Sequence, residues 1–238
     1  MNIDLQLLPL PLNPDFLSRR AVVVIDVLRA TSVIVHAMSE GAIEIVPVAT
    51  VEDAFQKVRA YPPGTTLLGG ERESRKIEGF DLGNSPREYV AERVKGKRLI
   101  LTTTNGTKAF HFVSAGSEVM VGSFFNIGAT ARRCVQLKRD LLIFLSGDEG
   151  NFSIEDAVCG GMLIEGILKK EEKRTGLTDA AHCALIFYQR FEENLLGAFH
   201  LSRHGKELID IGAAEDLLYC TQTDITALVP TFRDGVIK

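Results

Sequence analysis

The chain of 238 residues has no tryptophan, only four cysteines and little net charge. The missing tryptophan carries no functional meaning. The cysteines, Cys134, Cys159, Cys183 and Cys220, are scattered without Cys-x-x-Cys spacing. That pattern argues against a disulfide scaffold or a zinc site and for a reducing, cytoplasmic setting. Thirty-one acidic residues face 27 basic ones, a net charge of −4. Such a balance gives no global attraction to nucleic acid or to an anionic membrane, while leaving room for a local basic pocket. No apolar run approaches the ~20 residues that cross a bilayer. Met1-Asn2-Ile3-Asp4 lacks the basic region and apolar stretch of a secretory signal.

Several motifs are absent as well. There is no Gly-x-x-x-x-Gly-Lys-Ser/Thr loop for a nucleotide and no Gly-x-Gly-x-x-Gly for a dinucleotide. An aspartyl-nucleophile phosphatase needs Asp-x-Asp-x-Thr, and position 28 is Leu. His182-Cys183 reaches Arg190 across an apolar interval without glycine, which reads as helix core and not as a phosphate cradle. Arg203-His204-Gly205 continues as Lys206-Glu207-Leu208, which departs from the Arg-His-Gly-x-Arg-x-Pro run of histidine phosphatases.

What is present is an alternation of strands and helices. Ala21 to Val27, Leu141 to Leu145 and Arg98 to Thr103 are apolar runs of strand length, as expected for strands covered on both faces. Ile43 to Val48, Thr65 to Leu68 and Val119 to Gly122 are shorter runs of the same kind. Between them lie helix starts at Thr31-Ser32, Thr50, Ser85-Pro86, Gly106-Thr107 and Ser153. Residues 1–20, with Pro9, Pro11 and Pro14, read as an irregular or edge-strand lead-in, and Thr226 to Pro230 as a terminal strand. The pattern predicts an α/β fold, three-layer α/β/α, with a largely parallel sheet.

At an offset of 75 residues, Ile25, His36, Ser39, Gly41, Val46, Ala54 and Asp81 meet identical partners. This suggests an internal duplication, residues 21–95 and 96–170, followed by a tail at 171–238, all within one domain (1–238). The tail breaks the alternation and is a candidate oligomerisation element. His36 and His111 fall inside helices and read as packing residues.

Chemistry gathers at the carboxyl ends of the strands, where ligands bind in such sheets. Carboxylates there (Asp26, Glu71, Asp81, Asp148, Glu149, Glu155, Asp156) offer the hard oxygen ligands that Mg²⁺ takes. Helix starts offer backbone N–H groups to an anion, and Arg29 and Arg72 can grip phosphate or carboxylate. The expected metal ligands are drawn from Asp26, Glu71, Asp81 and Asp156. Arg29, Thr31, Arg72, Asn84, Thr104, Asn105, Gly106 and Thr107 are expected to bind substrate. Asp26 is expected to be catalytic, with Glu149 or Glu155 as base toward a water. Arg75, Lys76, Arg87 and Lys108 add positive charge near the same loops.

Asp26-Val27-Leu28-Arg29-Ala30-Thr31, Gly69-Gly70-Glu71-Arg72, Gly79 to Pro86 and Thr102 to Thr107 resemble the 2-phosphosulfolactate phosphatase family. Ser146-Gly147, Asn151 to Asp156 and Ser202-Arg203-His204-Gly205 look like its later blocks. The resemblance implies a Mg²⁺-dependent phosphatase that converts 2-phospho-3-sulfolactate to sulfolactate, a coenzyme M biosynthesis step. The partner is then a small polyanion. Two other readings compete: a phosphatase for another small phosphorylated 2-hydroxy acid, and a non-catalytic sensor of a phosphorylated metabolite.

Overall fold

The computed structural model describes residues 1–170 and 175–238. The expected start of the tail, at 171, lies outside the described residues. The lead-in contains strand β1 (Asn2–Gln6) and helix α1 (Pro14–Ser18), started by the Asn13 side chain and Pro14. The first half then gives β2 (Ala21–Ile25), α2 (Ala30–Ser39), β3 (Glu44–Pro47), α3 (Val51–Val58), β4 (Thr66–Arg72), β5 (Arg75–Lys76) and α4 (Ala91–Val94). The second gives β6 (Arg98–Thr102), α5 (Gly106–Phe112), β7 (Glu118–Gly122), α6 (Ile127–Leu137), β8 (Leu141–Leu145) and α7 (Ile154–Leu168). The remainder holds β9 (Gly176–Leu177), α8 (Asp179–Phe191), α9 (Leu195–Leu201), α10 (Arg203–Asp210), α11 (Ala214–Cys220), β10 (Thr231–Arg233) and β11 (Val236–Ile237).

The strands form one sheet in the order β5-β4-β6-β3-β11-β10-β7-β2-β8-β1-β9. It is a three-layer α/β/α arrangement with mostly parallel pairing. Residues alternate between its two faces. Val23, Ile25, Ile143 and Leu145 pack among Ile127, Val158, Ile164 and Ala184 on one side. Val22, Val24, Leu142 and Phe144 pack among Val33, Phe110 and Val113 on the other. Both faces are buried, which is why β2 and β8 are continuous apolar runs.

The halves interleave. β2 lies between β7 and β8, and β6 lies between β3 and β4. Exchanging the halves therefore maps one trio of strands onto the other. Within each trio the pairing is parallel, but the trios are joined through β10 and β11 by three antiparallel pairings. They accordingly run in opposite directions, and their carboxyl ends meet at a common cleft. The polar clusters expected at the carboxyl ends of the strands thus come from two opposed blocks facing each other.

Three local expectations shift. The terminal strand starts at Thr231, just beyond Pro230, which has no N–H to give a ladder. Ser85-Pro86 opens only a short 3-10 turn over residues 86–88, because the Ser85 hydroxyl bonds Asp216 instead of capping. Helix α2 begins at Ala30, so Thr31 and Ser32 lie inside it and bond back to the residues leaving β2. The cysteines are unpaired thiols, three of them buried. Among the described residues no helix is long and apolar enough to cross a membrane.

Candidate active site

A cleft of about 420 Å³ opens where the two blocks meet, lined by residues following β2, β4, β6 and β8 and by two residues of α10. β2 delivers Asp26. The Thr31 hydroxyl closes the turn, donating to the Asp26 carbonyl at 2.9 Å and accepting from the Asp26 N–H at 3.0 Å. Thr107 does the same for Thr103, donating to its carbonyl at 3.1 Å and accepting from its N–H at 3.3 Å. Both threonines are fully buried and shape the loops from behind, away from the cleft lining.

The Asp26 carboxylate accepts from the Ala30 N–H at 3.2 Å. Its other oxygen faces Gly106, where a β-carbon would stand only 2.6 Å away. Gly106 is thus a place where the backbone must come close. Burial pushes the Asp26 carboxyl up to about 7, opposed by the charge of His204 and reinforced by Glu71 and Glu155.

Glu71, at the end of β4, accepts from the backbone N–H of Thr104 at 2.7 Å and of Ser74 at 2.9 Å. It therefore ties the loop after one strand to the loop after another. Arg29 is buried, donating to Asp216 at 2.6 Å and to the Ser74 carbonyl at 3.0 Å, while its Nε has no partner. Arg72 lines the cleft, but its guanidinium donates to the carbonyls of Glu71 and Ala49 and to the Thr102 hydroxyl. Asn84 is also at the wall, with its side-chain oxygen buried and unpartnered.

On the β8 side, Arg203 of α10 clamps Asp148 at 2.7 Å through Nε and Glu149 at 3.0 Å through its two terminal nitrogens. Asn105 holds the same loop by accepting from the Glu149 N–H at 3.1 Å. His204 and Glu207 of α10 complete the lining.

Of the expected site residues, Asp26, Arg29, Glu71, Arg72, Asn84, Thr104, Asn105 and Glu149 line the cleft. Gly106 packs directly against it. Asp81 is exposed and accepts from the Leu68 N–H, outside the cleft. Asp156 lies behind the wall, each oxygen accepting a backbone N–H, from Val27 at 2.9 Å and Gly147 at 3.3 Å. Glu155 is buried beside it, and desolvation raises both carboxyls. The four-carboxylate metal set is therefore not gathered; only Asp26 and Glu71 reach the cleft. Among the described residues no three His, Cys, Asp or Glu side chains stand together as a ready metal group. Two carboxylates nevertheless suit Mg²⁺, which keeps most of its waters and takes one or two protein carboxylates plus substrate phosphate. Asp148 stands at the wall as one of the strand-end carboxylates the sequence offered, whereas Ser74, Glu207 and Asp216 carried no signal of a site; His204 was visible only within Ser202-Arg203-His204-Gly205, as a departed histidine-phosphatase motif and as a block resembling the family. Of the remaining basic residues, Arg87 pairs with Glu215 at 2.5 Å, and Lys108 lines a neighbouring hollow beyond Asn105.

Comparison with known proteins gives a family match over residues 9–235, to a family described as 2-phosphosulpholactate phosphatase. A Clostridium acetobutylicum protein named probable 2-phosphosulfolactate phosphatase is 41% identical over 237 residues, 100% of both chains. Proteins of the same name from Caldanaerobacter subterraneus subsp. tengcongensis and Symbiobacterium thermophilum are 39% and 38% identical. They cover 95% and 93% of this chain, and 93% and 94% of their own.

Proposed function

Since the chain belongs to the 2-phosphosulpholactate phosphatase family and is a phosphoric monoester hydrolase, we propose that it hydrolyses 2-phospho-3-sulfolactate to 3-sulfolactate and phosphate, with Mg²⁺. The step is the dephosphorylation of a sulfonate pathway of coenzyme M type. The observation that carries the metal is the charge of the cleft. Six carboxylates (Asp26, Glu71, Glu73, Asp148, Glu149, Glu207) line it against two arginines and His204, with Arg203 bonded to Asp148 and Glu149. The substrate brings roughly four more negative charges near neutral pH, two of them from phosphate. A polyanion enters such a cleft only with a cation to screen it.

Asp26 and Glu71 would hold the ion. An ion held there would supply charge neutralisation at the phosphoryl oxygens. Asp26 suits this role because its burial penalty is relieved by any cation beside it. Arg29 keeps Nε free for an anionic oxygen while Asp216 and Ser74 fix its remaining nitrogens. Glu71 holds the Thr104 and Ser74 loops at fixed positions around the phosphate, so orientation is prepaid before substrate arrives.

A phosphate-release screen over phosphorylated 2-hydroxy acids, with and without a sulfonate, in Mg²⁺ and in EDTA, tests the proposal. It expects fastest release from the sulfonate and loss of release in EDTA. Tight binding without release would make the protein a sensor; equal rates on the sulfonate-free acids would shift the substrate.

A further inference from the structure

We propose that His204 is the catalytic general acid, giving the proton that the departing alcohol oxygen needs; the proposal rests on the phosphatase reading. The leaving group is a secondary alkoxide, a far stronger base than a phenolate. Charge builds on that oxygen as the P–O bond breaks, so a donor at hydrogen-bond distance lowers the barrier. The arginines at the cleft cannot surrender a proton.

His204 is the imidazole at the cleft wall among the described residues. Its side chain is 14% exposed and its Nδ1 is buried without a hydrogen bond. That nitrogen faces two carboxylate oxygens, Glu207 Oε2 at 3.5 Å and Asp148 Oδ1 at 4.0 Å. Each carboxylate is pinned by its other oxygen. Ser74 donates to Glu207 Oε1 at 2.9 Å, and Arg203 donates to Asp148 Oδ2 at 2.7 Å. The free oxygen of each is thereby left toward the ring. Two fixed acceptors facing one ring nitrogen orient the imidazole and leave Nε2 for the substrate.

The backbone supports the same placement. Ser202 caps α10 by accepting from the Gly205 N–H at 2.9 Å. Gly205 lets α10 start against the end of α9, where a β-carbon would lie 1.9 Å from the Phe199 carbonyl oxygen. His204 and Asp26 line the same cleft, so donor and buried carboxylate face one reaction space.

Water oxygen bonds to phosphorus while the bond from phosphorus to the C2 oxygen breaks. The imidazolium proton goes to that oxygen, giving the neutral alcohol. Dihydrogen phosphate forms and returns a proton to the imidazole, leaving as hydrogen phosphate.

The test compares His204→Gln and His204→Asn with wild type on 2-phospho-3-sulfolactate and on 4-nitrophenyl phosphate, whose phenolate leaves with little need of a proton. The expected result is a loss of about 10²–10⁴ in kcat/KM on the alkyl ester and a few-fold change at most on the aryl ester. Glu207→Gln, which keeps shape but removes the orienting charge, should show the same selectivity with a smaller loss. Equal losses on both esters, or none on either, overturn the proposal. Wild-type protein that releases phosphate from neither ester removes the phosphatase reading itself, and this proposal with it.

Discussion

Replacing Gly106 with alanine tests how tightly the two opposed blocks are locked around Asp26. The added methyl would stand 2.5 Å from the β-carbon of Ala30 and 2.6 Å from Asp26 Oδ2. An ordinary contact begins near 3.4 Å, so something must move by about 0.9 Å. Ala30 cannot yield easily. It is buried in the first turn of α2, and its N–H holds Asp26 Oδ1. Either α5 backs away, carrying Thr103 to Thr107, or the Asp26 carboxylate swings out. Overpacking of this size costs about 1–3 kcal/mol. For a chain of this length about 2 kcal/mol corresponds to a Tm drop of about 4–8 °C. A misplacement near 1 Å at a reacting group costs about 10²-fold in rate. Gly106→Ala should therefore fold, melt several degrees lower and lose about two orders of magnitude in kcat/KM. Calorimetry and a phosphate-release assay read both numbers. A variant with wild-type turnover, whatever its Tm, refutes the claim that Gly106 sets the position of Asp26.

Three further outcomes follow from buried charge and close packing. Burial raises Asp26, so the folded chain keeps that proton to higher pH than the unfolded chain does; its contribution is most favourable below about 3.8 and declines as pH rises toward 7. In the metal-free protein, Asp26→Asn should raise Tm at pH 8 and give little gain at pH 4, and once Mg²⁺ is added back the variant should release no phosphate at either pH; a Tm loss at pH 8 would contradict the burial penalty. Asp216→Ala strands the buried Arg29 guanidinium and should cost about 3–5 kcal/mol in urea unfolding while raising KM; a cost below about 1 kcal/mol would mean that the pair is unimportant. Gly205→Ala drives a methyl into the Phe199 carbonyl and should displace α10, lowering Tm and activity together; unchanged values would show that α10 has slack there.

The parts of this fold visible in the sequence are those governed by local chemistry. β2 and β8 stand out because both faces are buried, and the Thr50 capping box marks α3 to the residue. Asp26, Glu71 and the Thr104-Asn105 turn were visible because polar residues follow apolar strands there. The opposed directions of the two blocks were not visible, since they depend on β10 and β11, a short hairpin more than 100 residues from its partners in β7 and β3. Asp156 resembled a ligand at the start of α7, yet tertiary packing buries it behind the cleft wall, on the N–H groups of Val27 and Gly147. His204 and Glu207 reach the cleft from α10, and Asp216 of α11 holds the cleft residue Arg29, although the sequence of these helices offered only the Ser202-to-Gly205 block. Only the folding of α9 to α11 across the β2 and β8 ends places them there.

The most direct measurement is inorganic phosphate released from 2-phospho-3-sulfolactate by purified wild-type protein and by Asp26→Asn, each with Mg²⁺. The expected result is stoichiometric release by wild type, arrested by EDTA and restored by Mg²⁺, and none above background from a folded Asp26→Asn variant. Release by Asp26→Asn at the wild-type rate, or wild-type protein that binds the substrate and leaves it intact, would contradict it.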